Sequence, residues 1–386
     1  MPKIYSSDAH HIQAKSIDRH AYYVIEKLRQ AGFIAYLVGG SVRDLLLHQR
    51  PKDFDIATSA KPEEIKHLFR KNCLLIGRRF RLAHIRFGRK IIEVATFRSG
   101  DMDSVELITS DNVWGTPEED AKRRDFTING LFYNPENETI IDYVGGVADA
   151  HDKIIRTIGN SALRFKQDPV RMIRLLKFKA RFNFSIDDEA INALQNCRGE
   201  ILKSSKPRIL EELLRMLESG YSKEFFFCLY EYGFLKLLIP DLAKHFEKMP
   251  DSPVFTYLEK TDSISLKIFP ETVYRSIPLC CILYPLLEQK NPEKSKVFSE
   301  IKLLMNHLFS NFIHIPKKLK SDITSILFYQ FHYFTTSYKK KVKIPKDKTF
   351  FLAIKFLKIR SMIDEKLLPI LSMWQEAYEQ TKKQEI

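Results

Sequence analysis

The pattern that most restricts the fold of this chain is an apolar run over residues 33–38 that ends in Gly39-Gly40 and passes into a helix signal over 42–47. Lys52-Asp53-Phe54-Asp55 then follows. A strand that stops on two glycines and enters a helix brings backbone N–H groups close to a bound polyphosphate, and the helix dipole and Arg43 add positive potential. Residues i and i+2 of a strand point to one face, so Asp53 and Asp55 present two carboxylates side by side. Like charges placed this way are costly unless a cation lies between them, and hard oxygen ligands suit Mg²⁺. Alone, an Asp-x-Asp is more often a solvated strand end and a Gly-Gly an ordinary turn. In succession they restrict the reading far more.

The flanking sequence supplies the rest of an α/β head. Residues 54–56, 83–87 and 91–97 are short segments rich in β-branched and aromatic residues, and read as strands. Residues 62–70 open with Glu63-Glu64 and read as a helix, and 139–143 as a further strand closed by Gly145-Gly146. Residues 100–119 are polar and aperiodic, so they read as a mobile loop, and residues 1–20 as a loose N-terminal extension. From Asp168 the period changes. Asp168 can cap, Pro169 suits a first helical turn, and the residues to Phe182 alternate apolar with basic at helical spacing. Residues 208–218 and 223–238 continue in the helical period. The expected organisation is an α/β head over 1–150, a helical segment over 151–215, and a further helical part over 216–386.

Charge follows the same division. Residues 1–150 carry 22 basic and 21 acidic side chains, and the remainder 40 and 27, so nearly all of the net charge of +14 lies behind the head. That distribution suits chemistry in front and a polyanion grip behind, with Lys317, Lys318, Lys320 and 339–341 as candidate contacts. A Lys-rich surface that serves only solubility fits the composition equally well. The longest apolar stretch, residues 276–287, is too short to span a bilayer and contains Pro278 and Pro285. The N-terminus lacks a secretory pattern. The five cysteines make no CxxC pair and no metal-ligand spacing. They read as reduced thiols of a cytoplasmic protein.

With these motifs in order, the chain resembles the polymerase-beta-like nucleotidyltransferases, and within them the class II group of bacterial poly(A) polymerases and CCA-adding tRNA nucleotidyltransferases. The resemblance implies an α/β nucleotidyltransferase head with a small mixed sheet, followed by an all-α neck, body and tail. It implies Gly39, Gly40 and Arg43 as nucleotide contacts and Asp53 and Asp55 as catalytic residues and ligands of Mg²⁺. Arg123-Arg124-Asp125-Phe126-Thr127-Ile128-Asn129 matches the family's next block, with Arg124 near the sugar or triphosphate and Asp125 as the third catalytic carboxylate. Glu93, within 91–97, is a rival for that third place, since a carboxylate on a neighbouring strand also reaches the site. Asp142-Tyr143-Val144-Gly145-Gly146 fits the family's flexible link.

Asp168-Pro169-Val170-Arg171-Met172-Ile173-Arg174 matches the block that reads the incoming base without a template. Asp168 and Arg171 stand at i and i+3; a carboxylate accepts from an exocyclic amino group while a guanidinium donates to ring acceptors. Arg174 joins them as a nucleotide contact. Gln167 stands where the group often has Glu, and Lys177 where many CCA-adding members have Arg. The block from Leu74 to Gly88, with Gly77-Arg78-Arg79-Phe80-Arg81, resembles the poly(A) polymerase branch. The expected activity is therefore template-independent addition of AMP from ATP to RNA 3′ ends by a two-metal mechanism. The alternative is CCA addition to tRNA from CTP and ATP, and a remote one is an RNA-binding adaptor whose catalytic part has decayed.

Overall fold

In the computed structural model the described residues are all except 78–80, 101–112, 268–273, 310–311, 335–343 and 385–386. The expectations for Arg78-Arg79-Phe80, most of the loop over 100–119, and Lys339 to Lys341 lie outside them. The chain divides into two compact units, Met1–Leu175 with Asn183–Glu200, and Leu176–Phe182 with Ile201–Ile386.

The first unit is built on an eight-stranded mixed sheet, counted among the described residues. Its strands are β1 (Lys3–Tyr5), β2 (Ala35–Val38), β3 (Asp55–Thr58), β4 (Cys73–Ile76), β5 (Leu82–Phe87), β6 (Lys90–Thr96), β7 (Leu131–Asn134) and β8 (Thr139–Asp142), in the spatial order β1-β8-β7-β2-β3-β6-β5-β4. All neighbours run antiparallel except β3 and β6. The parallel pair needs a long crossover, and the chain supplies it with helix, β4 and β5. Helices α1 (Ser7–His10), α2 (Arg19–Gln30), α3 (Gly40–Leu46), α4 (Pro62–Phe69), α5 (Pro117–Arg123) and α6 (Gly146–His151) accompany the sheet. In α2 the residues Ala21, Val24, Ile25 and Leu28 recur at helical spacing, are fully buried, and join Leu37, Ile56, Ile85, Val94 and Tyr133 in the main core. Because strand side chains alternate, Val38, Ala57 and Phe132 face the other way, into a smaller cluster with Phe97 and Ala121. Asp55, two residues before Ala57, lies on that second face.

Three expectations change here. Residues 1–20 are not a loose extension: β1 pairs with β8, and buried His10 is held between the carbonyl of Glu138 at 2.9 Å and the amide of Ile12 at 3.0 Å. Residues 116–119, expected as loop, open a helix. Thr116 caps α5, Pro117 opens it, and Glu119 reaches back to the Thr116 amide at 2.7 Å. The turn at Gly145-Gly146 is not slack: one Asp142 carboxylate accepts from the amides of Val144, Gly145, Gly146 and Val147. A Cβ on Gly146 would lie 2.1 Å from the Thr127 carbonyl oxygen, so only glycine fits.

After a short parallel pair, β9 (Ile154–Ile155) with β10 (Ser185–Ile186), the first unit adds α7 (Ser161–Gln167), α8 (Val170–Phe182) and α9 (Asp188–Cys197). The unit boundary falls within α8. Beyond it the second unit is helical among the described residues: α10 (Lys206–Leu217), α11 (Ser222–Glu231), α12 (Phe234–Leu238), α13 (Pro240–Lys248), α14 (Pro253–Lys267), α15 (Ser276–Lys290), α16 (Val297–Phe309), α17 (Lys317–His332), α18 (Phe350–Ser361) and α19 (Leu368–Gln384). The helix expected over 223–238 is two, α11 and α12, because Gly233 takes φ +74° and ends the first. The apolar run 276–287 forms most of α15 and is buried throughout, packed against α14, α16, α17 and α18. No helix of the described residues is long and apolar enough to cross a membrane.

Candidate active site

The site forms where β2, β3 and β6 lie side by side. Val38 pairs with Asp55, and Asp55 with Glu93, so these residues form one row across three strands; His84 on β5 extends it beyond Glu93. Asp53 stands just before β3 and is exposed, and Asp55 is half-buried at its first position. Burial, then Glu93 and Asp53, push the Asp55 carboxyl up to about 6, against a smaller opposing effect of Arg124. Three carboxylates and one guanidinium thus share a field. His84 Nε2 lies 3.3 Å from Glu93 Oε1 and steadies that carboxylate at the outer side.

The Gly39-Gly40 turn lies at the end of the same row. Gly39 has φ +65° and ψ −126°, a backbone that side-chain-bearing residues avoid, and a Cβ there would stand 3.0 Å from Arg124 Nη1. Arg124 therefore lies directly against the turn. Its Nε and Nη2 donate to Asp120 Oδ2 at 3.2 and 2.9 Å, its Nη1 donates to the Asn129 carbonyl at 3.4 Å, and its guanidinium sits 5.5 Å from the Phe132 ring centre. Asp120 is buried. Burial alone would raise its carboxyl, but Arg124 and Arg123 outweigh it and hold the carboxyl below the usual range.

Arg43, expected as a nucleotide contact, lies against the turn, its Nη2 3.5 Å from where a Cβ on Gly40 would stand. It is 4% exposed, its Nε and Nη2 donate to Asp44 Oδ1, and its Nη1 donates to Asn129 Oδ1 at 2.6 Å. It braces the helix behind the turn from below. Local spacing could not reveal this, because Asn129 lies 86 residues further along the chain, just before β7.

Asp125 is not brought to the carboxylate row either. It is buried, its Oδ1 accepts from the backbone amide of Phe126 and from Asn129 Nδ2, and its Oδ2 lies 2.8 Å from Arg174 Nη2. Burial raises its carboxyl, yet Arg174, Asn129 and Arg171 together keep it below the usual range. Of the two candidates for a third carboxylate, Glu93 is the one whose charge acts on Asp55.

Arg174 belongs with Asp168 and Arg171 in a second group at the start of α8. Arg171 is buried and donates to the carbonyls of Arg164 at 3.4 Å and Arg123 at 3.3 Å. Burial disfavours its charge, and Asp168 and Asp125 favour it. Arg164, which the sequence reading passed over, is 1% exposed and lies between the two groups. Its only sequence signal is a basic residue on the buried face of a helix in an otherwise apolar position.

The donor set suits a divalent cation: oxygen ligands only, carrying more negative charge than the surrounding protein neutralises. No group of three or more metal-ligating side chains stands out among the described residues, so such an ion would rest on Asp53 and Asp55 with Glu93 at its edge and with phosphate oxygens completing its shell. Cations placed over the second unit are plainly exposed at Lys317 and Lys318 and partly so at Lys320.

Comparison with known proteins gives a consistent picture. Residues 35–156 match the model of the poly A polymerase head domain, and residues 183–246 match the model described as the probable RNA and SrmB-binding site of polymerase A. Poly(A) polymerase I of Escherichia coli O6:H1 is 36% identical over 396 residues, spanning 96% of this chain and 84% of the relative. A CCA-adding enzyme of Lactobacillus delbrueckii subsp. bulgaricus is 37% identical over 217 residues, 56% of this chain and 54% of that one. Among solved structures, the Bacillus stearothermophilus CCA-adding enzyme in complex with CTP shares the fold, with a TM-score of 0.63 at 22% identity over 93% of this chain and 82% of that chain.

Proposed function

Because the chain belongs to the poly(A) polymerase I family of nucleotidyltransferases, we propose that it adds AMP from ATP to RNA 3′ ends without a template, in the cytoplasm. The observation that carries the reading is the near-full-length match to poly(A) polymerase I together with the row Asp55–Glu93 beside the Gly39 turn and Arg124. The CCA-adding relative matches only about half of the chain. In this reading residues 1–150 are the catalytic head, 151–215 read the base and 216–386 hold RNA.

The reaction forms a bond from the RNA 3′-oxygen to the α-phosphorus of ATP and breaks the bond from that phosphorus to pyrophosphate, in line. Arg124, fixed by Asp120 and the Gly39 turn, steadies the triphosphate where negative charge shifts toward the leaving group. The Gly39 amide is taken up by the Leu131 carbonyl at 3.3 Å, so the turn's contribution is the close approach its glycine backbone allows to the same oxygens. A divalent cation, taken here as Mg²⁺, held by Asp53 and Asp55 would supply charge neutralisation and lower the pKa of the attacking hydroxyl. Asp55, whose charge is disfavoured by burial, Glu93 and Asp53, would gain most from such a cation. Asp168 and Arg171 select the base, Asp168 accepting from the adenine amino group and Arg171 donating to a ring nitrogen.

The test is incorporation of labelled ATP and CTP on an oligo(A) and on a tRNA lacking its CCA end. Long A-only products on the oligo(A) are expected; products that stop after two C and one A on the tRNA would overturn the reading in favour of CCA addition. Tight RNA binding without incorporation of either nucleotide would favour the adaptor.

We also assign the third carboxylate to Glu93 and give Asp125 the task of holding Arg174. Glu93→Gln should lower kcat by roughly 100-fold with an unchanged melting temperature. Asp125→Asn removes the charge that faces Arg174 and should cost about 1.5–3 kcal/mol of stability, with a smaller loss of kcat at low temperature. Parallel melting curves and kcat values check both, and the reverse pattern would return the catalytic place to Asp125.

A further inference from the structure

We propose that Arg164 is a positioning residue that links base recognition to the triphosphate site: it sets Arg124 in place according to how the start of α8 is occupied. The inference rests on the base-reading role given above to Asp168 and Arg171.

Arg164 is the largest fully buried side chain in the described residues. Its Nη2 donates to two successive carbonyls, those of Arg123 at 2.6 Å and Arg124 at 2.7 Å, and its Nη1 donates to Gln167 Oε1 at 3.0 Å. These carbonyls close the C-terminal end of α5, where an α-helix leaves acceptors unsatisfied and where a cation is favoured. Arg171 donates to the Arg123 carbonyl as well and to the carbonyl of Arg164 itself. An unbroken path therefore runs from the guanidinium of Arg171, through Arg164, to the backbone of Arg124. The side chain of Arg124 lies against Gly39 and within the field of Asp55.

A cation in such a place is expensive to bury, and an apolar side chain of similar volume packs a helix end at lower cost. The planar fork of arginine explains what the cost obtains: one group holds two adjacent carbonyls and a side-chain amide in a fixed geometry, which a lysine ammonium does not reproduce. A shift of Arg171 on meeting an adenine edge moves the same carbonyl that Arg164 holds. Binding energy at the base is thereby expressed at the triphosphate, where it counts in the transition state.

A helix cap alone predicts a uniform effect on every nucleotide, whereas coupling predicts a selective one. Single-turnover incorporation on oligo(A) by the full-length protein is compared for ATP and for purine riboside triphosphate, which lacks the 6-amino group. In Arg164→Lys the ATP rate should fall about 10-fold or more and the analogue rate by less than about 2-fold, so the ratio of rates collapses. The preference in equilibrium binding, set directly by Asp168 and Arg171, should persist. Equal slowing of both nucleotides would overturn the coupling. If Arg164→Lys does not fold, Gln167→Met removes the acceptor of Nη1 and should reduce the ratio of rates by roughly 3-fold; an unchanged ratio there overturns the coupling too. Asp168→Asn separates the premises. Lost discrimination in Asp168→Asn with uniform slowing in Arg164→Lys defeats the coupling alone, and unchanged discrimination in Asp168→Asn defeats the base-reading assignment and the coupling with it.

Discussion

Asp55→Asn should reduce nucleotide incorporation by roughly 1,000-fold or more and at the same time raise the melting temperature of the metal-free protein at pH 8. Both effects come from one cause. The Asp55 carboxyl is pushed from 3.8 up to about 6 by burial, Glu93 and Asp53, so its charged form is disfavoured in the native state. Between pH 3.8 and about 6 the native protein binds more protons at this site than the unfolded chain does, so stability falls as pH rises through that window. Above it the full penalty is present, at most about 3 kcal/mol for a shift of this size. Asparagine removes the charge and with it the penalty, but also an oxygen ligand. Adding Mg²⁺ should therefore raise the melting temperature of the native protein at pH 8 and leave that of Asp55→Asn nearly unmoved. Calorimetric melting with and without Mg²⁺, beside primer-extension rates, measures both sides. A variant that is less stable than the native protein at pH 8 would show that the carboxylate row is not strained, and retained incorporation would remove Asp55 from the chemistry.

Gly39→Ala should be the most damaging of the single-methyl substitutions at the turn. The residue has φ +65°, where a side chain costs about 1–3 kcal/mol, and the new methyl meets Arg124 Nη1 at 3.0 Å. Arg124 gives way because its guanidinium is the flexible partner, and it moves off the triphosphate position it shares with the turn. We expect kcat/KM for ATP to fall about 100-fold, with both terms affected, since Arg124 acts on the bound nucleotide and on the transition state. Gly40→Ala is the natural control. Gly40 has no positive φ, and a Cβ there comes only to 3.5 Å from Arg43 Nη2, an ordinary contact. A fall of less than about 5-fold is expected. Steady-state kinetics on ATP for both variants decide the matter; equal losses would mean that the turn matters only as open space above the glycines.

Much of the head was legible because its signals are local. The strands at 33–38, 83–87, 91–97 and 139–143 were visible as β-branched and aromatic runs, and the structure places β2, β5, β6 and β8 there with shifts of one or two residues. The helix at α5 carries a local signal as well: Thr116, Pro117 and Glu119 form a helix start, which the polar composition of the surrounding segment obscures. The N-terminal strand was not visible, because three residues carry no period, and pairing with β8 alone makes Lys3–Tyr5 a strand. The same holds for α11 and α12, where one apolar period runs across Gly233 and the break depends on a single backbone conformation.

By itself the sequence determined the chemistry available to this protein: paired aspartates after a Gly-Gly turn, arginines ahead of a helix that alternates apolar with basic, and a basic excess almost wholly within residues 151–386. These are choices of residue type at short spacing, and short spacing is what a one-dimensional pattern records. Tertiary structure alone decided which groups meet. Parallel pairing of β3 with β6 brings Glu93 to Asp55, burial turns Arg43 toward Asp44 and Asn129, and Arg174 takes up Asp125. Each outcome depends on strand order or on a contact distant in sequence. Whether a charge ends in a catalytic row or in an internal ion pair follows from desolvation and from the nearest opposite charge, and neither exists until the chain has folded.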